Sequence, residues 1–216
     1  MPDFDTLVPD ALGFFDDLAA DNSRDWFTAN KARYERDVKA PAEALLSEIG
    51  DRIAAATGTR PAPKLYRINR DLRFSKDKTP YNTHLHLQWS DPATGIAHLF
   101  GVSRAYVCAG LGVMGFDKAA LDRWRDRIAG DKGEGFARLL DRTLDAGLRM
   151  DPPELKRVPA PYPPDHTRAE LLKRKGIVLW HDLSDVEQAH PVAALDAAFT
   201  RLGPFRTALT EVLAPG

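Results

Sequence analysis

The side chains with the most chemistry in this sequence are crowded between positions 64 and 84. Six lysines or arginines stand there against Asp71 and Asp77, a local charge of +4 in a 216-residue chain whose overall charge is −1. Arg67, Asn69, Asp71 and Arg73 alternate with Tyr66, Ile68, Leu72 and Phe74, so on a strand the polar set shares one face. Ser75, Lys76 and Lys78 come next in a turn imposed by Pro80, and His84 opens a return run. Guanidinium forks match the paired oxygens of a carboxylate or phosphate, and lysines add point charge, so the chemistry expected is capture of a small anion. Asp71 would then orient an arginine between its neighbours. The bland alternative is a ladder in which Arg70, Asp71, Arg73 and Asp77 neutralise one another, each exposed pair contributing about 1 kcal/mol or less. Arg70 breaks the alternation, so it must reach a partner, end the strand or sit at a bulge.

A second cluster, residues 155–175, also carries a net +4, against Asp165 and Glu170. A basic site on an otherwise acidic body suits a compact anion better than a polyanion. His166 and Arg168 fall where a short helix would begin, and Lys173 and Lys175 where it would end. The lysines are what a helix dipole favours anyway, whereas basic residues at the start help the helix least and an anion most. The expected site is therefore Arg70, Asp71, Arg73, Ser75, Lys76, Lys78 and His84, with His166, Lys173 and Lys175 from the second cluster closing over it.

Other chemistries fit less well. Ser75 and Lys78 have the Ser-x-x-Lys spacing of penicillin-recognising enzymes, but that serine must start a helix, and here a strand precedes and Pro80 comes after. No glycine-rich run precedes Lys76 or Lys78, which excludes a phosphate-cradling loop. His84 and His86 share a strand face and would begin a metal site, yet only Asp71 or His98 offers itself as a third ligand, and no metal is expected. No cofactor is expected either. His84 and Asp71 are the acid–base candidates if the ligand is turned over, and no nucleophile stands out, so the sequence does not decide whether this is an enzyme.

These residues need a scaffold. Ala11, Phe14, Phe15 and Leu18 recur at helical spacing; Asn22-Ser23 offers an N-cap for a second helix through Trp26, Phe27, Tyr34 and Val38, which Pro41 interrupts before the stripe resumes at Ala42, Leu45, Ile49 and Ile53. Strands are predicted over 66–75, 84–89, 98–103 and 106–113, in an antiparallel meander. Helices are predicted over 118–129 and 134–146, then a proline-rich surface loop. A helix opened by the capping-box pattern Thr167-x-x-Glu170 comes next, then a short strand over 177–180, a helix opened by Pro191, and a last helix after Gly203-Pro204. This is an α+β class fold: N-terminal helices before a mostly antiparallel sheet, with helices packed on one face, in a single domain over 1–216.

One cysteine, Cys108, excludes an internal disulfide and reads as a small buried hydrophobe. The first ten residues show no basic start leading into an apolar run, and no stretch reaches the eighteen or so apolar residues of a membrane helix, so a cytoplasmic protein with no membrane partner is expected.

The same segments resemble a family called domain of unknown function 2461, found in bacteria and fungi. The likeness is carried by Phe14 and Leu18, Asn22, Asp25-Trp26-Phe27, Asn30-Lys31 and Tyr34; by the run from Arg70 through Phe74, Lys76, Lys78 and Pro80 to His84; and by Leu155, Pro159, His166 and Leu171 to Lys175. It spans most of the chain. Asn82 departs from it, since lysine is more usual there, and removes a positive charge from the expected site. The resemblance implies kinship and no activity, but it draws Asn30 and Lys31 toward the same site. The function expected is binding of a small phosphate- or carboxylate-bearing ligand. The alternative is a nucleic-acid or protein interaction module, for which exposed Tyr81 and Trp89 on a basic sheet would speak.

Overall fold

The computed structural model describes residues 4–73 and 75–215. Phe74, which the alternation assigns to a buried face, lies outside them. Helix α1 (Leu7–Ala20) buries Ala11, Phe14, Phe15 and Leu18, the predicted stripe. Ser23 caps α2 (Arg24–Arg33), its hydroxyl accepting from the Trp26 N–H at 3.2 Å. Asn22 acts at longer range, its amide pairing with the backbone of Tyr81 in both directions, at 3.0 and 3.1 Å.

Pro41 does not break the next helix. A π-helical turn (Tyr34–Lys39) precedes α3 (Ala40–Thr57), and the Ala40 N–H donates to Glu35 O, five residues back. The proline ring has no N–H for a bond to residue 37, so the helix opens by one residue just before it and Pro41 lies in the first turn of α3. Gly58 ends α3 at φ 73°, a conformation that favours glycine.

The described residues form six strands, the last two lying among the later helices: β1 (Ala62–Leu65), β2 (His84–Ser90), β3 (Ala97–Ser103), β4 (Tyr106–Val113), β5 (Arg149–Met150) and β6 (Ile177–Asp182). Their order in the antiparallel sheet is β1-β2-β3-β4-β6-β5. The alternation in β2 is as predicted: Leu85, Leu87 and Trp89 are buried, while His84, His86 and Gln88 are half-buried. The predicted strand over 66–75 is a correction. Regular pairing of β1 with β2 stops at Leu65 and Leu87, and beyond it, among the described residues, only an isolated Asn69–Tyr81 bridge remains.

The later helices are α4 (Lys118–Ala129), α5 (Lys132–Asp145), α6 (Ala169–Leu172), α7 (Asp185–Gln188), α8 (Pro191–Arg201) and α9 (Gly203–Leu213). The chain's contacts group into two compact units interleaved in sequence. The first comprises Met1–Ser90, Leu99–Ala109 and Asp182–Ala197, the second Asp91–His98, Gly110–His181 and Ala198–Gly216. In the first, α1 and α3 lie against β2, and the Trp89 indole donates to Leu46 O at 2.7 Å. Phe14, Phe27, Tyr34 and Tyr81 form a continuous aromatic cluster there. The second has its own core around Trp124, Phe136, Phe205 and Leu209. Among the described residues no helix is long and apolar enough to cross a membrane.

Candidate functional site

The failure of the 66–75 strand creates the site. Tyr66 N–H donates to His86 O at 3.0 Å, but Asn82 N–H donates to Ile68 O at 2.7 Å and Arg70 N–H to Pro80 O at 2.9 Å. Between these bonds one residue, Arg67, lies opposite three, Thr83 to Leu85. Such a bulge throws side chains out of the ladder and leaves a hollow. The hollow, about 340 Å³, is lined by Tyr66, Arg67, Asn69, Arg70, Asp71, Asn82 and His84.

Arg70 closes the neck of the adjoining loop, and so it does reach a partner. Its guanidinium donates to Asp77 at 2.6 Å, to both the carbonyl and the hydroxyl of Thr79, and to the Ser75 hydroxyl at 3.5 Å. Asp77 in turn accepts from the Thr79 backbone N–H, and that bond, the Arg70 bond and the Thr79 hydroxyl hold its carboxyl down at about 2. Asp71 accepts from the Arg73 side chain and backbone, with a closest distance of 2.6 Å, and is held below the usual carboxylate range, the Arg73 side chain being the main cause. Lys78 donates to Leu72 O at 3.0 Å. Two of the arginines are thus neutralised locally, in keeping with the bland alternative. Arg67 is different: among the described residues its guanidinium makes no side-chain hydrogen bond, and it is exposed at the hollow.

His84 and His86 stack face to face, with centroids 4.0 Å apart and planes at 24°. Stacking turns ring faces, not nitrogen lone pairs, toward one another, and His86 Nε2 already meets the Tyr106 hydroxyl at 2.7 Å. Among the described residues no three His, Cys, Asp or Glu side chains gather as a metal would require. Burial lowers the His84 pKa, and burial, with a smaller contribution from the neighbouring His84, lowers that of His86 to about 4. Near neutral pH both rings are uncharged, so His84 offers the hollow a hydrogen bond and no charge.

These rings make stability depend on pH. A histidine whose pKa falls on folding adds stability that is complete above its ordinary value of 6.5 and is lost as pH drops from there through its folded value, about 4 for His86. The melting temperature is therefore expected to fall between about pH 6.5 and 4. In His86→Leu that slope should be shallower but still present, because His98, also buried, is likewise held at about 4. An unchanged slope in the variant would contradict this account.

The second basic cluster belongs to the second unit, where His166 and Arg168 are engaged with helix ends. The Thr167 capping box is a correction: α6 has no side-chain cap of that kind, and His166 Nδ1 instead accepts from the Arg168 N–H at 2.9 Å. Arg168 closes the end of α4, donating to the carbonyls of Ile128, Ala129 and Gly130. Lys173 pairs with Glu170, and the Lys175 backbone N–H donates to Glu154. Arg70, Asp71 and His84 from the expected set therefore share one hollow, with Ser75 holding Arg70. Arg73, Lys76 and Lys78 are exposed on the loop beyond it, while His166, Lys173 and Lys175 make the contacts of the second unit. Arg67 and Asn69 were legible as part of the polar face, though not as lining of a hollow. Tyr81 and Trp89, the aromatics an interaction surface would have exposed, are 8% and 0% exposed.

Compared with known proteins, residues 10–207 match a family model described as conserved hypothetical protein (DUF2461). No curated protein matches the chain.

Proposed function

We propose that this chain, which belongs to the DUF2461 family of conserved hypothetical proteins, binds a small phosphate- or carboxylate-bearing ligand in the hollow at Arg67. The observation that carries the reading is the Arg67 guanidinium, exposed and without a side-chain hydrogen bond among the described residues, in one lining with Arg70, Asn69 and His84. A planar fork beside amide donors and a neutral imidazole suits the oxygens of a phosphoryl or carboxylate group. Arg70 contributes mainly by keeping the loop closed. Cytoplasmic residence is part of the same proposal, since the lone, buried Cys108 suits a reducing compartment.

Titration of inorganic phosphate, monitored by backbone NMR shifts, tests it. The Arg67, Asn69 and Asn82 signals are expected to move together. Arg67→Ala should weaken binding about 10- to 100-fold, the range of one charge-assisted hydrogen bond. If phosphate, citrate and sugar phosphates all leave those signals unmoved, or if Arg67→Ala binds as the parent does, the reading fails.

A further inference from the structure

His84 differs from the other groups that line the hollow. Its half-buried ring is held by stacking on His86 at 4.0 Å, and His86 is itself fixed by the Tyr106 hydroxyl at 2.7 Å. Among the described residues neither ring nitrogen of His84 makes a hydrogen bond, and the ring lines the hollow. A polar ring oriented by its neighbours and left without a partner is a group positioned for a ligand.

The charges that face this ring decide when it takes a proton. In the segment opposite, Arg70 is committed to Asp77 at 2.6 Å, and Asp71 to Arg73 at the same distance. Arg67 is the guanidinium left over; it acts on Asp71 through space without pairing with it. Asn69 and Asn82 contribute uncharged amides. The Tyr66 ring stands edge-on to His86, with the Lys64 amine 4.0 Å from its centroid. A proton on His84 in the free protein would thus face cations, and burial already disfavours it.

A dianion seated on Arg67 reverses that balance. One guanidinium leaves one of its two negative charges uncompensated, and His84 is the lining group that gains a positive charge by taking up a proton. His86 does not compete, because two charged rings 4.0 Å apart would repel and His86 is the more strongly held neutral. A carboxylate monoanion, matched by Arg67 alone, makes no such demand.

Resting on the anion reading above, we propose that the hollow is a site for a dianionic oxyanion, such as a phosphomonoester, and takes up one proton on His84 as that anion binds. The Arg67 fork and the protonated imidazole then grip oxygens of one group, and affinity becomes linked to pH. The protonated ring binds the dianion more tightly, so affinity rises as pH falls. The rise reaches about tenfold per pH unit at most and levels off once His84 is protonated without the anion.

Sulfate tests this, because it keeps both charges from about pH 5.5 to 8, whereas phosphate itself titrates there. The midpoint of the His84 ring is followed by carbon–proton NMR of the intact protein, the signal being assigned by its loss in His84→Gln. It is expected to rise by about one pH unit or more in saturating sulfate, and by less than half as much in acetate. Sulfate affinity should increase toward pH 5.5 in the parent and stay level in His84→Gln. If the His84 midpoint does not move in sulfate while the Arg67 signals respond to sulfate or phosphate, proton uptake is overturned and the anion reading stands. A shift as large in acetate as in sulfate overturns the preference for two charges. Equal pH dependence in parent and His84→Gln removes the proton from His84. Should sulfate and all the phosphate and carboxylate ligands leave the Arg67 signals unmoved, both readings fall.

Discussion

Replacing Trp89 with alanine is expected to lower the stability of the fold by about 3–5 kcal/mol, the range for removing a fully buried indole. Trp89 is 0% exposed and lies on the buried face of β2 beside Leu85 and Leu87. Its ring joins sheet to helix, since Nε1 donates to Leu46 O within α3 and the ring lies where a Cβ on Gly50 would be 3.5 Å away. Trp89→Phe separates the contributions: it keeps most of the apolar surface and loses the hydrogen bond, for which about 1 kcal/mol is expected on top of the volume change. Urea unfolding monitored by far-UV circular dichroism reports both without relying on indole fluorescence. An alanine variant losing under about 1 kcal/mol would mean that the sheet face and α3 are not held together through this ring.

Gly112→Ala should be harsher still. Gly112 has φ 153°, and a Cβ there would sit 1.9 Å from Ile177 O and 2.7 Å from Val178 Cα. The obstruction is the backbone of the adjacent strand β6, which no rotamer change relieves, and the conformation itself disfavours any side chain. We expect the variant to lose more than about 4 kcal/mol and not to accumulate as folded protein. Gly115→Ala, with nothing within 4 Å of its added methyl group, is the control and should melt like the parent. Equal melting temperatures for the two variants would show that β4 and β6 do not approach as described.

Parts of this architecture were readable because a single local rule decides them. The His84-to-Trp89 alternation reports a half-buried strand, and the strand is there. The apolar spacing over 118–129 matches α4 to the residue. The alternation over 66–75 misled, because period two describes which way side chains would point and not whether a partner strand supplies the ladder. There the decisive contacts are tertiary: Arg70 to Asp77 and Thr79, and Asn22 to Tyr81 across 59 positions. Thr167 and Glu170 were a sound capping pattern that the helix start does not use: α6 begins one residue later than the pattern requires, at Ala169, and the preceding turn is held by His166, whose ring nitrogen accepts from the Arg168 N–H and whose carbonyl accepts from the Ala169 N–H. Within the candidate site, the arginine surplus singled out the segment that lines the hollow but did not distinguish the paired arginines from the unpaired one. Arg70 and Arg73 form ion pairs with Asp77 and Asp71, whereas Arg67, four residues before Asp71, acts on that carboxylate through space without pairing with it, which its sequence position does not reveal. Lys31 was drawn in by resemblance alone, and it does not line the hollow.

Among the described residues strand β1 pairs only with β2, and its even-numbered residues face that neighbour, as the Tyr66 N–H shows; Pro63, opposite Trp89, therefore points its nitrogen to the open side. A free sheet margin is normally a template on which another extended chain can polymerise. Here the margin is four residues long and one of its outward donors is missing, so an incoming strand would find an acceptor without the matching N–H. The protein has placed its ligand-sized depression immediately beyond an edge that resists fibrous growth, which lets an irregular, open stretch of backbone persist there without becoming a nucleus for aggregation.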